Sequence, residues 1–205
     1  VARGKDTQKR IMDIAQAAIL EKGFDATSID EIVAKAGITR SGFFYHFADK
    51  NALASALIER HIEIEDDLFD DLFDRAFELS DDPLQRMLIG LKLLAELVED
   101  MPDGHPGCIV ATAVYQDRLF NQAVRHANKR AVLGWRQRFQ SMFDEIEAVY
   151  PNKDQVATSH LADMVSAIIE GGIVMARAVE EPELTSQQIL LLRSYVKLLY
   201  SPRPS

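Results

Sequence analysis

This chain of 205 residues has little cysteine, no long apolar run and no period-two alternation, and each shortage removes a class of protein. Its single cysteine, Cys108, cannot form an intramolecular disulfide, which excludes a disulfide-stapled scaffold and fits a reducing compartment. No stretch approaches the roughly 18 uninterrupted apolar residues of a membrane helix. The amino end, Val1-Ala2-Arg3-Gly4-Lys5-Asp6, lacks the apolar core of a signal peptide, so a cytoplasmic location with no membrane partner is expected. There is no glycine-rich phosphate loop, no nucleophile elbow and no spaced cluster of His, Asp and Glu. The five histidines are scattered, at positions 46, 61, 105, 126 and 160. His105 with Cys108 offers two donors, fewer than a metal site requires. An enzyme is not expected, and neither is a cofactor or a metal.

Positive charge is scarce as well, since the net charge is -9. Eight of the 23 basic residues and seven of the 32 acidic ones lie in residues 1–50, so that segment is near neutral and the acidity belongs to the rest. Binding depends on local field rather than on a whole-chain sum, so this balance permits a nucleic-acid partner without requiring one.

What is present is a hydrophobic fraction of 47%, ample for a core, arranged with helical spacing. Asp6 or Thr7 can cap a first helix carrying Ile11, Ile14, Ala15, Ala18 and Ile19, which Gly23 would end. Ser28-Ile29-Asp30-Glu31 is an S-x-x-E capping box, and Ile29, Ile32, Val33 and Ala36 form the stripe behind it. Gly37 ends that helix, and Thr39 can cap a third over about 40–47. A support helix and two short helices around a tight glycine turn make a helix-turn-helix. Five consecutive ring-bearing residues, Phe43 to Phe47, lie in the third helix. At about 100° per residue, Phe43 and Phe47 share a face while Tyr45 points nearly the opposite way. The outward set of Arg40, Ser41, Tyr45 and His46 suits a phosphate backbone and a groove.

The run from Gly23 to Lys50, GFDATSIDEIVAKAGITRSGFFYHFADK, resembles the DNA-binding domain of the TetR family of bacterial transcriptional regulators. The resemblance rests on Gly23-Phe24, Thr27-Ser28, Ile32, Ala36-Gly37-Ile38-Thr39, Tyr45-His46-Phe47, Lys50 and Leu53. It implies DNA contacts from Thr27, Ser28, Thr39, Arg40, Ser41, Gly42, Phe44, Tyr45, His46 and Lys50. Arg40, in the first turn of the recognition helix, best suits a guanine edge. Two positions depart from the family pattern: Gly42 often carries Thr, and Phe44 often carries Tyr.

Beyond Asp49 the chain reads as further helices, over about 50–79, 84–99, 108–120, 121–149, 154–180 and 185–200. The segment 101–107 is a loop, and the carboxylate-dense stretch 65–74 is a solvated face. The expected fold is therefore all-α, with about nine helices in two domains. Residues 1–50 form the helix-turn-helix domain and 51–205 a larger helical domain for effector binding and dimerisation. The resemblance implies a homodimer on palindromic double-stranded DNA, most simply a repressor released by a small apolar or aromatic effector. Its interface is expected at Gly171, Gly172, Met175, Ile189, Leu192, Val196 and Leu199. Candidate effector contacts are Phe73, Leu91, Thr112, Tyr115, Gln116, Phe120, Trp135, Phe139, Met142, Met164, Ile168 and Met175. Cys108 follows Pro106-Gly107 at a helix start, where amide dipoles favour a thiolate. It is a candidate thiol sensor by resemblance to a Gly-Cys subgroup of the family, or else a small buried side chain. A helical interaction protein of this fold without DNA binding is the other alternative.

Overall fold

In the computed structural model, which describes residues 2–102 and 104–200, the described residues form nine α-helices and one 3₁₀ turn. No strand occurs among the described residues. Val1 of the amino end and Asp103 of the expected loop lie outside them. The elements are α1 (Ala2–Ala26), α2 (Ile29–Ala36), α3 (Arg40–His46), α4 (Lys50–Leu79), α5 (Pro83–Glu99), α6 (Ile109–Tyr115), a 3₁₀ turn (Asp117–Leu119), α7 (Gln122–Glu147), α8 (Thr158–Val179) and α9 (Leu184–Tyr200).

Side-chain caps start several of these helices. Ser28 accepts the Glu31 amide, Thr39 the Gly42 amide, Asp49 the Ala52 amide and Asp82 the Gln85 amide, with Pro83 at the first helical position of α5. Three boundaries differ from the sequence expectation. α1 begins before Asp6 and Thr7, at Ala2. α6 stops at Tyr115, because Gln116 (φ −115°, ψ 23°) leaves the helix and the chain tightens into the 3₁₀ turn. α8 begins only at Thr158. There the Asn152 side chain accepts the Asp154 amide and donates to the Val156 carbonyl, a local turn that competes with a helix.

Contacts divide the chain into two compact units, with divisions inside α4, between Gly107 and Cys108, and inside α7. The first comprises residues up to 65 with 108–131. Its interior is built from Ile11, Ala15, Ile19 and Phe24 of α1, Ile32 of α2, Phe43 and Phe47, Leu53, Leu57 and Ile58 of α4, and Ile109, Val110 and Val124. Fully burying one such side chain contributes about 1.5–3 kcal/mol. α1 is interrupted at Gly23 (φ 85°, ψ 166°), a conformation open to glycine. Phe24 then packs edge-on against Phe120 with ring centroids 4.7 Å apart.

The second unit comprises 66–107 with the residues from 132 on. α9 packs against both α5 and α8. Its core includes Leu88, Leu91, Phe139, Phe143, Leu161, Val165, Ile189, Leu192, Val196 and Tyr200. Arg193 ties the layers by donating through Nε to the Leu88 carbonyl at 2.8 Å. Part of the acidic face is paired, since Arg138 donates to Asp70 at 2.6 Å and to Asp66 at 3.0 Å. No helix among the described residues is long and apolar enough to cross a membrane.

Candidate nucleic-acid interface

The candidate interface is built on two short helices, α2 and α3, joined at a tight glycine turn. Gly37 closes α2 in the left-handed conformation (φ 62°, ψ 38°), its amide reaching the Ala34 carbonyl while Ile38 reaches that of Val33. The chain then turns directly into the Thr39 cap of α3. Phe43 is fully buried and Phe47 nearly so, 5.8 Å apart between centroids, and together they anchor α3 by one face. Arg40, Ser41, Phe44 and Tyr45 are all exposed, with Ser41 and Tyr45 opposite the buried pair by helical spacing. Tyr45 is 84% exposed, a cost that packing alone gives no reason to accept. His46 lies edge-on to Tyr45 at 5.1 Å, and Phe44 edge-on to the buried Phe43 at 5.5 Å.

Of the ten residues expected on DNA, Ser28, Thr39, Arg40, Ser41, Phe44 and Tyr45 are exposed, and Gly42 and His46 are half-buried. Two are committed elsewhere. Thr27 is fully buried, and its hydroxyl donates to the Gly23 carbonyl at 2.9 Å. It therefore stabilises the break in α1 and presents nothing to a phosphate in this structure. Lys50 turns inward, its ammonium donating to the Phe24 carbonyl beside a hollow of about 200 Å³ lined by Phe24, Asp25, Asn51, Leu119 and Phe120. Burial pulls the Lys50 pKa below its ordinary value, with the Asp25 carboxylate opposing. One residue of the face was read from the sequence only as part of a capping box. Asp30 accepts from Arg40 Nη1 at 2.9 Å, a pairing across two helices that no local pattern announces.

The residues expected to line an effector site are dispersed. Phe73 and Met142 share a groove of about 180 Å³ with Phe77, Pro83, Arg86, Met87 and Glu145. Leu91 and Phe139 are core, Met164 and Ile168 pack against that core, and Trp135 is half-buried. In the other unit, the Thr112 hydroxyl donates to the Cys108 carbonyl, Gln116 accepts the Phe24 amide, and Phe120 covers Phe24. Tyr115 is 83% exposed.

The interface expected between two copies needs correction. Ile189, Leu192, Val196 and Leu199 are at most 3% exposed and belong to the core of their own unit, so they offer no surface to a partner. Gly172 faces Thr185 within the same unit, whereas Gly171 has open space and Met175 is half-exposed. The apolar surface left on α8 and α9 consists of Val174, Met175, Val179, Leu191, Tyr195 and Leu198.

Cys108 is buried and caps α6, its Sγ accepting the Ala111 amide at 3.5 Å. The His61 Nε2 lies 3.9 Å from this sulfur and 3.3 Å from the Glu65 carboxylate. No cluster of three metal-ligating side chains occurs among the described residues.

Residues 11–57 match the family model described as bacterial regulatory proteins, tetR family. The Transposon Tn10 TetC protein of Escherichia coli is 38% identical over 58 residues, 28% of this chain and 29% of that protein. The HTH-type transcriptional regulator AcrR of Shigella flexneri is 36% identical over 55 residues, 27% and 26% of the two chains. The HTH-type transcriptional repressor BepR of Brucella suis is 32% identical over 59 residues, 29% and 28%. The matched stretch thus spans less than a third of each of these relatives. The whole fold has solved counterparts. A TetR family transcriptional regulator from Cytophaga hutchinsonii aligns over 99% of both chains with a TM-score of 0.78 at 14% identity. One from Agrobacterium tumefaciens aligns over 97% of this chain and 100% of its own with a TM-score of 0.77 at 16% identity. Residues 11–57 thus carry a helix-turn-helix segment of the tetR family type, set in a helical fold that solved TetR family regulators share.

Proposed function

We propose that the protein is a DNA-binding transcriptional regulator, working in the cytoplasm as a homodimeric repressor on a palindromic operator. The observation that carries this reading is the outer face of α3, where Arg40, Ser41, Phe44 and Tyr45 stand exposed on a helix anchored from behind by Phe43 and Phe47. Its guanidinium, hydroxyls and aromatic edge are the groups that reach bases and phosphates. Residues 1–50 supply DNA binding, and residues 51–205 supply dimerisation and the effector site. Palindromic recognition needs two such helices about 34–36 Å apart, which one chain lacks and a symmetric pair provides. The exposed apolar residues of α8 and α9 supply the surface for that pairing.

The groove of Phe73, Phe77, Met87 and Met142, rimmed by Arg86 and Glu145, suits an apolar or aromatic effector with a polar handle. Its effect on DNA is a population shift, and the effector must favour the non-binding state by several kcal/mol to act as a switch. The test is a gel shift on DNA flanking the protein's own gene, repeated with Arg40→Ala combined with Tyr45→Phe. Salt-sensitive binding that the double substitution abolishes is expected. Undiminished binding would exclude this face, and no binding to any palindrome there would favour an interaction protein of the same fold.

The contact between Cys108 and His61 favours a second reading, in which a thiol modulates the same DNA binding. Faster alkylation of Cys108 than of a simple thiol, with loss of DNA binding, is its expected signature. Slow alkylation without such loss leaves Cys108 as a cap.

A further inference from the structure

Asp30 and Arg40 meet across the two helices of the head, and their pairing is not needed to hold those helices together. The Arg40 Nη1 donates to Asp30 Oδ1 at 2.9 Å, with the two side chains 63% and 71% exposed. An ion pair so open to water contributes little to stability. The arrangement of α2 and α3 is already set by the Gly37 turn, the Ile38-to-Val33 hydrogen bond and the buried Ile32, Ala36 and Phe43. Asp30 also sits in the first turn of α2, where a carboxylate meets the favourable end of the helix dipole. Ser28 and Glu31 supply that terminus with a cap and a charge without it.

On a surface that approaches a polyphosphate, a carboxylate has a direct cost. Its repulsion acts within a screening length of about 10 Å at 0.1 M salt, so every DNA sequence is penalised alike. What it provides in return is geometry. A guanidinium presents five donors in a rigid fork, and with Nη1 held by Asp30 the edge formed by Nε and Nη2 remains to meet an acceptor pair. Guanine presents such a pair in the major groove, O6 and N7. An Arg40 without this restraint would swing to the nearest phosphate, which any sequence supplies.

We propose that Asp30 is a specificity-determining residue: it aims Arg40 at a guanine edge and disfavours binding wherever that guanine is absent. The proposal rests on the DNA-binding reading above, and its test separates the two. The full chain is used to select duplexes from a pool with a randomised centre. Affinity is then measured for a selected duplex and for a scrambled duplex of equal composition at several salt concentrations. Asp30→Ala and Asp30→Asn are expected to tighten binding to the scrambled duplex several-fold. The ratio of selected to scrambled affinity should fall by roughly ten-fold, the scale of one bidentate base contact. Replacing guanines one by one with 7-deazaguanine should identify a position that matters to the unsubstituted chain and no longer matters to Asp30→Ala. Asp30→Glu should recover part of the ratio.

Glu21→Gln, which removes an exposed acid of α1, is the control for charge alone and should change both affinities together. Loss of a dipole contact would lower the melting temperature and leave the ratio intact. An unchanged ratio in Asp30→Ala, or an equal fall in Glu21→Gln, overturns the role of Asp30 while DNA binding stands. Failure of the unsubstituted chain to enrich any duplex overturns DNA binding itself, and this role with it.

Discussion

The Phe24 amide donates to the Gln116 side-chain oxygen at 2.7 Å, across 92 positions of sequence. The bond exists because Gly23 breaks α1 and releases that amide from the helical ladder. Gln116→Leu leaves a partly buried donor unpaired and is expected to cost about 1–3 kcal/mol, read as a lower urea midpoint. Gly23→Ala should also destabilise, since it strains a positive φ and sets a Cβ 2.9 Å from Gln116 Nε2. The two changes share one contact, so Gly23→Ala should cost less in the Gln116→Leu background. Strict additivity would show that the contact does not couple these residues.

The head was legible in the sequence because its determinants are local. Ser28, Gly37 and Thr39 each act within four residues, and each does in the structure what its type requires. The same holds for Asp49 and for Asp82 with Pro83. What the sequence left open is which partner each side chain finds at long range. The spacing of Ile189, Leu192, Val196 and Leu199 shows an apolar stripe, but a stripe buried by its own chain and one buried by a second copy look alike. Only packing against α5 and α8 decides between them. Lys50 reads as a surface cation until the broken end of α1 presents the Phe24 carbonyl to it. Asp30, at an unconstrained position inside the S-x-x-E stretch, gives no local sign of Arg40.

Glycines inside helices supply a pair of opposite predictions. A Cβ at Gly134 of α7 would meet nothing within 4 Å, so Gly134→Ala should stabilise by about 0.5–1 kcal/mol through the helix propensity it restores. At Gly172 of α8 a Cβ would lie 3.2 Å from the Thr185 backbone, and Gly172→Ala should destabilise. Melting temperatures of the two variants measured in parallel decide this. A matching sign would refute the packing of α8 on Thr185.

His105 gives stability a pH dependence. Burial first, and then the Arg177 guanidinium, hold its pKa below the ordinary 6.5. Its Nδ1 accepts the Gly107 amide, a bond that a proton on that nitrogen would remove. The unfolded chain takes up the proton near 6.5, whereas the native ring resists it. The stability associated with the neutral ring is therefore complete above that value and is lost as pH falls toward the native one. Unfolding at pH 7.5 and at pH 5.5, near and beyond the ordinary histidine range, should show a drop in the unsubstituted chain and a smaller one in His105→Asn. Equal drops would remove His105 from the account.

α9 carries two apolar stripes, and only one is used within the chain. Ile189, Leu192, Val196 and Leu199 are buried, whereas Leu191, Tyr195 and Leu198, spaced i, i+4 and i+7, are 62%, 37% and 69% exposed. On α8, Val174 and Met175 are half-exposed one turn from Gly171, where a Cβ would meet nothing within 4 Å. A glycine that costs helix stability without easing a contact in its own chain fits a face approached closely by a second copy. Leu191→Lys is expected to leave helicity and melting nearly intact while shifting the protein from dimer to monomer in sedimentation velocity. Leu192→Lys, which places a charge in the core, should unfold it instead. The Leu191 variant should also bind a palindrome far more weakly than the unsubstituted protein, because the second half-site is then met by an independent molecule rather than a tethered one. A Leu191→Lys protein that sediments at the mass of the unsubstituted one would remove this face from the proposed dimer.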